Sequence, residues 1–301
     1  MDDAGLLELL GYLKRHGYRF QAVTPATHAR VLARPASAAP DLRDVFGWNR
    51  PFREDRLEPE LFRLMKRAGI VEEGSQGMRS VLRVASLGDD LFFHSAYPTE
   101  DTDAVFFGPD TYRFARFMRE RWPENARHVV DMGTGSGAGG IVAARLAPEA
   151  AITLVDVNAE ALRLARVNAQ AAGVAAEFRQ DGALPPGADV VIANPPYMMD
   201  SGRRAYRDGG DLLGGALALD WTRQALARLA PGGTLLLYTG ASVADGSAPL
   251  VAALQGACAQ AGASCEIEEL DPDVFGEELE QPAYAEVERI AAIGAVIRVR
   301  A

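Results

Sequence analysis

Val129-Val130-Asp131-Met132-Gly133-Thr134-Gly135-Ser136-Gly137 reads as a buried strand that runs into a glycine turn and then a helix. A short apolar run closed by glycines is the mark of a strand in a parallel sheet. The glycines let the backbone approach a bound molecule closely and let the next helix pack against the strand. Their spacing is G-x-G-x-G, and Ala138 stands where a dinucleotide fingerprint has its third glycine. By itself such a turn points to nucleotide binding and no further. Asp131 adds a charge two residues before the first glycine, where it would repel a pyrophosphate. It suits a ligand that carries an ammonium or sulfonium group.

Outward from this turn, residues 105–301 alternate strand and helix patterns. Helices are expected at 109–121, 138–147, 158–172, 212–230 and 248–262. Strands are expected at 127–132, 152–156, 175–180, 188–193, 233–239, 264–270 and 293–299. Parallel strands need helical crossovers, so the pattern predicts an α/β fold with a doubly wound, Rossmann-like sheet of seven strands. Ligands bind such sheets at the carboxyl ends of the strands, where strand order reverses. The second strand ends in Asp156-Val157-Asn158, and an acid there can accept both hydrogen bonds of a ribose diol. Asn158 also suits the N-cap of the following helix. The third strand ends in Asp181-Gly182. Alone this pair is a turn, but in register with the other two strand ends its carboxylate could accept from an adenine amino group.

Residues 1–100 follow a different grammar. Leu6, Leu9, Leu10 and Leu13 form one stripe of a helix over 3–17, and Thr24-Pro25 opens a second helix. Arg34–Pro40 reads as a loop, Asp41–Phe46 as a short helix and 58–69 as another. Arg79–Ala85 and Leu91–Ser95 alternate as two strands joined around Leu87-Gly88-Asp89-Asp90. Helices followed by such a hairpin resemble a winged-helix module, and equally a cap over the next domain. The boundary is expected near 96–105, which divides the chain into 1–100 and 101–301.

Composition excludes several function classes. The 301 residues are 48% hydrophobic and 24% charged, an ordinary globular balance. No apolar run is long enough to cross a membrane, and the acidic start Met1-Asp2-Asp3 is unlike a signal peptide, so a cytoplasmic protein is expected. Cys258 and Cys265 are too few for a disulfide framework and read as packed, reduced thiols. His16, His28, His94 and His128 form no ligand pair at helical spacing, so no metal is expected. Lysine occurs only at positions 14 and 66, and the phosphate-loop motif is absent. Ser136 has no sequence signal for a histidine partner. The net charge is −10, and Glu266–Glu288 alone holds ten acids and no base. That stretch reads as a solvated face or loop, or as a surface that repels nucleic acid. A modest basic cluster runs from Arg43 through Arg50, Arg53, Arg56, Arg63 and Lys66 to Arg67, interleaved with acids.

The fourth strand ends in Asn194-Pro195-Pro196-Tyr197. Together the four strand ends resemble a class I S-adenosylmethionine-dependent methyltransferase, and the N-P-P-Y tetrad resembles the subgroup that methylates planar nitrogens. That subgroup includes N6-adenine methyltransferases and the N5-glutamine methyltransferases of peptide release factors. Phe106-Phe107-Gly108-Pro109-Asp110-Thr111 resembles the loop that closes over the cofactor in the glutamine enzymes, and Tyr206-Arg207-Asp208-Gly209-Gly210 resembles a post-tetrad loop. The resemblance covers roughly residues 105–300. It implies S-adenosylmethionine as cofactor, held by Phe107, Gly108, Pro109, Asp131, Gly133, Thr134, Gly135, Gly137, Asp156, Val157, Asn158, Asp181, Gly182 and Asn194. Asn194, Pro195, Pro196 and Tyr197 are the implied catalytic group.

The tetrad has a physical rationale. A conjugated nitrogen is a poor nucleophile. The Asn194 side-chain oxygen and the Pro195 carbonyl can accept its two N–H bonds and stabilise the positive charge that develops on it. The prolines hold that backbone rigid, and Tyr197 offers a flat face for stacking. The charge balance favours a protein, peptide or small-molecule acceptor over nucleic acid. An N6-adenine or other RNA or DNA acceptor is the main alternative. Biosynthetic chemistry that consumes another part of the cofactor and a non-catalytic cofactor-binding protein are the remaining readings.

Overall fold

The computed structural model describes all residues except 36–39, 98, 100, 125, 201–203 and 205. Most of the loop expected over Arg34–Pro40 lies outside the described residues. The N-terminal part contains α1 (Asp3–Arg15), α2 (Pro25–Leu32), α3 (Pro59–Ala68) and the hairpins β1 (Val71–Gly74)/β2 (Gly77–Ser80) and β3 (Leu82–Leu87)/β4 (Asp90–Ser95). The remainder contains α4 (Pro109–Arg121), β5 (His128–Met132), α5 (Ala138–Leu146), β6 (Ala151–Asp156), α6 (Ala159–Ala172), β7 (Glu177–Gln180) and β8 (Val190–Ala193). It continues through α7 (Ala216–Arg228), β9 (Thr234–Val243), α8 (Pro249–Ala261), β10 (Ser264–Asp271) and β11 (Arg289–Arg298).

The last seven strands form one sheet in the order β10-β11-β9-β8-β5-β6-β7. From β9 through β7 the pairs are parallel, whereas β11 runs antiparallel to both β9 and β10. Alternate residues serve opposite faces, as the two-residue strand period requires. Val129, Ile152, Leu154, Ile192 and Tyr238 pack with residues of α4, α5 and α6. Val130, Val155, Val191 and Leu237 pack with α7 and α8. This is the Rossmann-like α/β sheet that the alternating pattern predicts. Strand order reverses between β5 and β8, so the carboxyl ends of those two strands open the natural cleft.

Several boundaries depart from the sequence reading. Helix α7 begins at Ala216 rather than 212, because Leu212 and Leu213 take φ of 60° and 53° in a left-handed turn that helix geometry excludes. The strand expected over 79–85 breaks at Val81, since Ser80 closes the small hairpin β1/β2 and Leu82 opens β3. The helix expected at Asp41–Phe46 is a single π-type turn over Arg43–Gly47.

Hairpin β3/β4 is buried on both sides. Leu82, Val84, Leu91 and Phe93 pack with α1, α3 and residues Ala161, Leu164 and Val167 of α6. Ala85, Leu87 and Phe92 join the core beside Phe107 and Phe114. Asn168 on α6 clasps it, accepting from Phe93 N at 2.9 Å and donating to Phe93 O at 3.1 Å. The hairpin is therefore a joint between the N-terminal layer and the sheet, and the exposed hairpin is β1/β2. Among the described residues, no helix is long and apolar enough to cross a membrane.

Candidate active site

The glycine turn after β5 is built around two carboxylates. Gly133, Gly135 and Gly137 have φ of 68°, 53° and 82°, a region that L side chains rarely adopt. A Cβ at Gly133 would sit 2.3 Å from the Trp221 ring, whereas one at Gly135 would meet nothing within 4 Å. The turn thus leans on α7 and leaves its middle open to the cleft. Asp131 is buried and accepts from Thr134 Oγ1 at 2.6 Å and from Gly140 N at 2.8 Å. Burial pushes its carboxyl up to about 6, against those two donors. Asp156 accepts from Gly135 N and from Asn158 N, each at 2.9 Å, and so ties the tip of β6 to the glycine turn. Its carboxyl is also raised, chiefly by burial.

These groups line a cleft of about 380 Å³ at the β5/β8 reversal. Asp131, Gly133, Thr134, Gly135, Asp156, Val157, Asn158, Asp181, Gly182 and Asn194 all face it. Asn158 also caps α6, accepting from Glu160 N at 2.9 Å. Asp181 makes its own turn to Ala183 N at 2.9 Å and remains exposed at the rim. Val157 is 57% exposed, although it is a large apolar side chain.

Four expected contacts fall elsewhere. Phe107 is buried in the core, stacked on His94 with ring centroids 5.5 Å apart, and the neighbouring Phe106 faces the cleft instead. Gly108 and Pro109 start α4 and do not line it; a Cβ at Gly108 would strike the Phe106 ring at 2.4 Å. Gly137 supports the turn from behind, where its Cβ would meet Ala165 at 3.1 Å. These four residues lie outside the lining of the cleft.

A second cavity of about 350 Å³ adjoins the first and is lined by Asn194, Pro195, Pro196 and Tyr197. Asn194, Pro196, Phe106 and Tyr206 line both cavities, so the tetrad stands at their junction. Tyr197 is only 7% exposed, and its hydroxyl donates to Asp110 on the first turn of α4. Asp110 also accepts from Tyr238 OH at 2.7 Å and from Arg113 Nη1 at 3.3 Å. The tyrosine is thus a fixed wall of the second cavity, tied down through its hydroxyl. Its backbone leaves no room for side chains on the returning loop: a Cβ at Gly209 would sit 2.7 Å from Tyr197 Cα.

The second cavity also draws Pro25 from α2, Tyr97 and Thr99 from the connecting segment, and Phe275 from the acidic stretch. Its two arginines are neutralised. Arg204 Nε donates to Asp200 Oδ2 at 3.0 Å, and Arg207 pairs with Asp200 and Glu278. The Asp200 carboxyl is held down to about 2 by Arg204. Sequence reasoning missed Asp110, Tyr238, Trp221, Phe106, Arg204 and Phe275. Phe106 and Asp110 lay inside the Phe106–Thr111 segment and Phe275 inside the acidic stretch, whereas Tyr238, Trp221 and Arg204 lay in no segment singled out.

Among the described residues, five of the ten acids of Glu266–Glu288 form ion pairs. Glu266 pairs with Arg121 and Arg298, Glu269 with Arg289, and Asp271 with Arg113. The basic cluster is equally engaged: Arg50 is buried beside Asp44, Arg53 pairs with Asp55, and Arg67 with Glu8.

Comparison with known proteins agrees with this geometry. Residues 111–248 match the family model described as the methyltransferase small domain. Release factor glutamine methyltransferase of Koribacter versatilis is 32% identical over 46% of this chain and 55% of its own length. Ribosomal RNA large subunit methyltransferase G of Vibrio vulnificus is 38% identical over 31% of this chain and 27% of its own. The chain spans about half the length of the glutamine enzymes it matches and less of the ribosomal one. A Pyrococcus horikoshii protein of solved structure shares the fold over 98% of this chain and 100% of its own, with a TM-score of 0.52 at 11% identity. The open glycine turn and the strand-end carboxylates fit S-adenosylmethionine: Asp156 for a ribose diol, Asp181 for an adenine amine, and Asp131 for a cationic end that a pyrophosphate would not tolerate. The central part of the chain is thus similar to the methyltransferase small domain, and its cleft has the strand-end acids that could hold S-adenosylmethionine.

Proposed function

We propose that the chain methylates a planar nitrogen, an amide or exocyclic amine, of a protein, peptide or small-molecule acceptor. The observation that carries this reading is the position of Asn194 and Pro196 in the walls of both cavities. The cofactor supplies an electrophilic methyl group. The protein's part is to present a nitrogen to it. Asn194 and the Pro195 carbonyl accept the nitrogen's N–H bonds, and the proline backbone offers no competing donors. As positive charge develops on nitrogen, those oxygens stabilise it in a site shielded from water. The clamp from Asp110 to Tyr197 holds the tetrad in place. No general base is needed before transfer, because the product sheds its proton afterwards. The paired state of Arg204 and Arg207 supports a neutral or zwitterionic acceptor over a phosphate-bearing one.

The test is a transfer screen with labelled S-adenosylmethionine against amide-bearing peptides, small amides and amines, and RNA. Incorporation into nitrogen of a peptide or metabolite supports the proposal. Selective incorporation into RNA would favour the nucleic-acid reading that the ribosomal relative raises.

A further inference from the structure

Behind Phe106, a small cavity of about 40 Å³ lies against the acceptor cavity, sharing Pro25, Tyr97, Thr99, Phe106 and Phe275 with it. Its polar walls are Arg83, His94 and His28. Arg83 and His94 are direct cross-strand partners on β3/β4, on the face turned toward the methyltransferase domain. They are 6% and 2% exposed, and His28 is 1% exposed. Arg83 Nε donates to Gly47 O at 3.0 Å, but Nη2 has no partner. Neither ring nitrogen of His28 nor His94 Nε2 has one. Among the described residues Arg83 pairs with no carboxylate. Among the described residues, the ionisable side chains that act on it are Tyr18, Tyr97 and Tyr112, beside His28 and His94.

A buried guanidinium without a counter-ion is costly, and buried charges are as a rule paired. The histidines do not compete with it, because burial and Arg83 itself depress their basicity. Each remains neutral with one N–H to donate. Three converging donor groups around a void are the complement of an anion. The void is small, about 40 Å³, and a planar carboxylate head suits it better than a bulkier tetrahedral phosphate. Arginine's planar fork matches a carboxylate in bidentate fashion.

We propose that Arg83, His94 and His28 form a carboxylate-binding subsite opening off the acceptor cavity. The proposal rests on the N-methylation reading only for which molecule brings the carboxylate: an acceptor whose carboxylate lies beyond the nitrogen held at Asn194.

The test uses the full chain without cofactor, titrated with sodium acetate against sodium chloride at matched ionic strength. Melting temperature should rise with acetate, by about 2 °C at tenfold the half-saturating concentration for a chain of this size. The ring signals of His28 and His94 in labelled protein should shift with the same midpoint. Arg83→Met should melt higher than wild type without acetate and lose the acetate response. Should that variant not fold, Arg83→Lys serves, with acetate binding weakened about tenfold or more through loss of the fork. Phosphate should do no more than chloride. A wild type indifferent to acetate, an Arg83→Met variant that still responds, or an equal response to phosphate would overturn the subsite. An intact acetate response beside a failed transfer screen would count against the N-methylation reading and leave the subsite standing.

Discussion

Tyr197 and Asp110, 87 residues apart in the chain, share a buried hydrogen bond that fixes the tetrad to the first turn of α4. The carboxylate also holds Tyr238 and Arg113, so one buried acid joins α4, β9 and the end of β8. Tyr197→Phe removes one of three donors to a buried acceptor. Urea unfolding should show a loss of about 1–3 kcal/mol. A variant as stable as wild type would mean that the clamp is not formed.

Asp156 bridges Gly135 and Asn158 and faces the cofactor cleft. Loss of a charge-assisted contact costs about 1.5–3 kcal/mol. Asp156→Ala should therefore weaken S-adenosylmethionine binding by roughly tenfold to a hundredfold in calorimetry. Equal binding by the variant would remove Asp156 from the ribose.

Asp131 should make the affinity for S-adenosylmethionine pH-dependent. Its folded value of about 6 stands above the ordinary 3.8. The group therefore favours the folded state below about pH 4, and that contribution is lost as pH rises through 6. A cationic ligand prefers the ionised form, so binding below pH 6 must expel a proton. Affinity should fall about tenfold between pH 7.5 and pH 5. Asp131→Asn should bind more weakly at pH 7.5 and show a flat profile. A wild-type affinity that is constant over this range would detach Asp131 from the cationic end.

The strand-helix alternation after residue 105 and the strand-end acids were legible because strand period and glycine placement are local properties. The exposed hairpin β1/β2 was not, since Val71-Glu72-Glu73-Gly74 shows no alternation to read. The choice between Phe106 and Phe107 depends on which way one residue turns, and adjacent aromatics give no sign of it. Asp110 and Tyr238 reach the tetrad, and Trp221 the glycine turn, only through the folded arrangement of distant elements, so these partnerships have no sequence signature. The same holds for Arg83 and His94, whose pairing follows from hairpin register.

Charge bears on the acceptor class. Arg50, Arg53, Arg56 and Arg67 of the basic cluster pair with acids, and among the described residues Arg43, Arg63 and Lys66 are exposed and outside ion pairs, a small set of cations for phosphates. Each phosphate contact adds about −0.9 to the log–log salt slope for duplex and about −0.7 for single strands. Mixed RNA and DNA oligonucleotides should show no measurable binding near physiological salt. Micromolar binding with a slope steeper than about −3 would contradict this and favour nucleic acid.

The central claim is that Asn194 acts on the acceptor nitrogen in the transition state. The direct measurement pairs cofactor calorimetry with turnover of Asn194→Ala on the best acceptor from the transfer screen. Cofactor affinity should stay within a few-fold of wild type while turnover falls by about 10² or more. Near-normal turnover with intact cofactor binding would contradict the account, because the reacting atom would then not be a nitrogen held by Asn194.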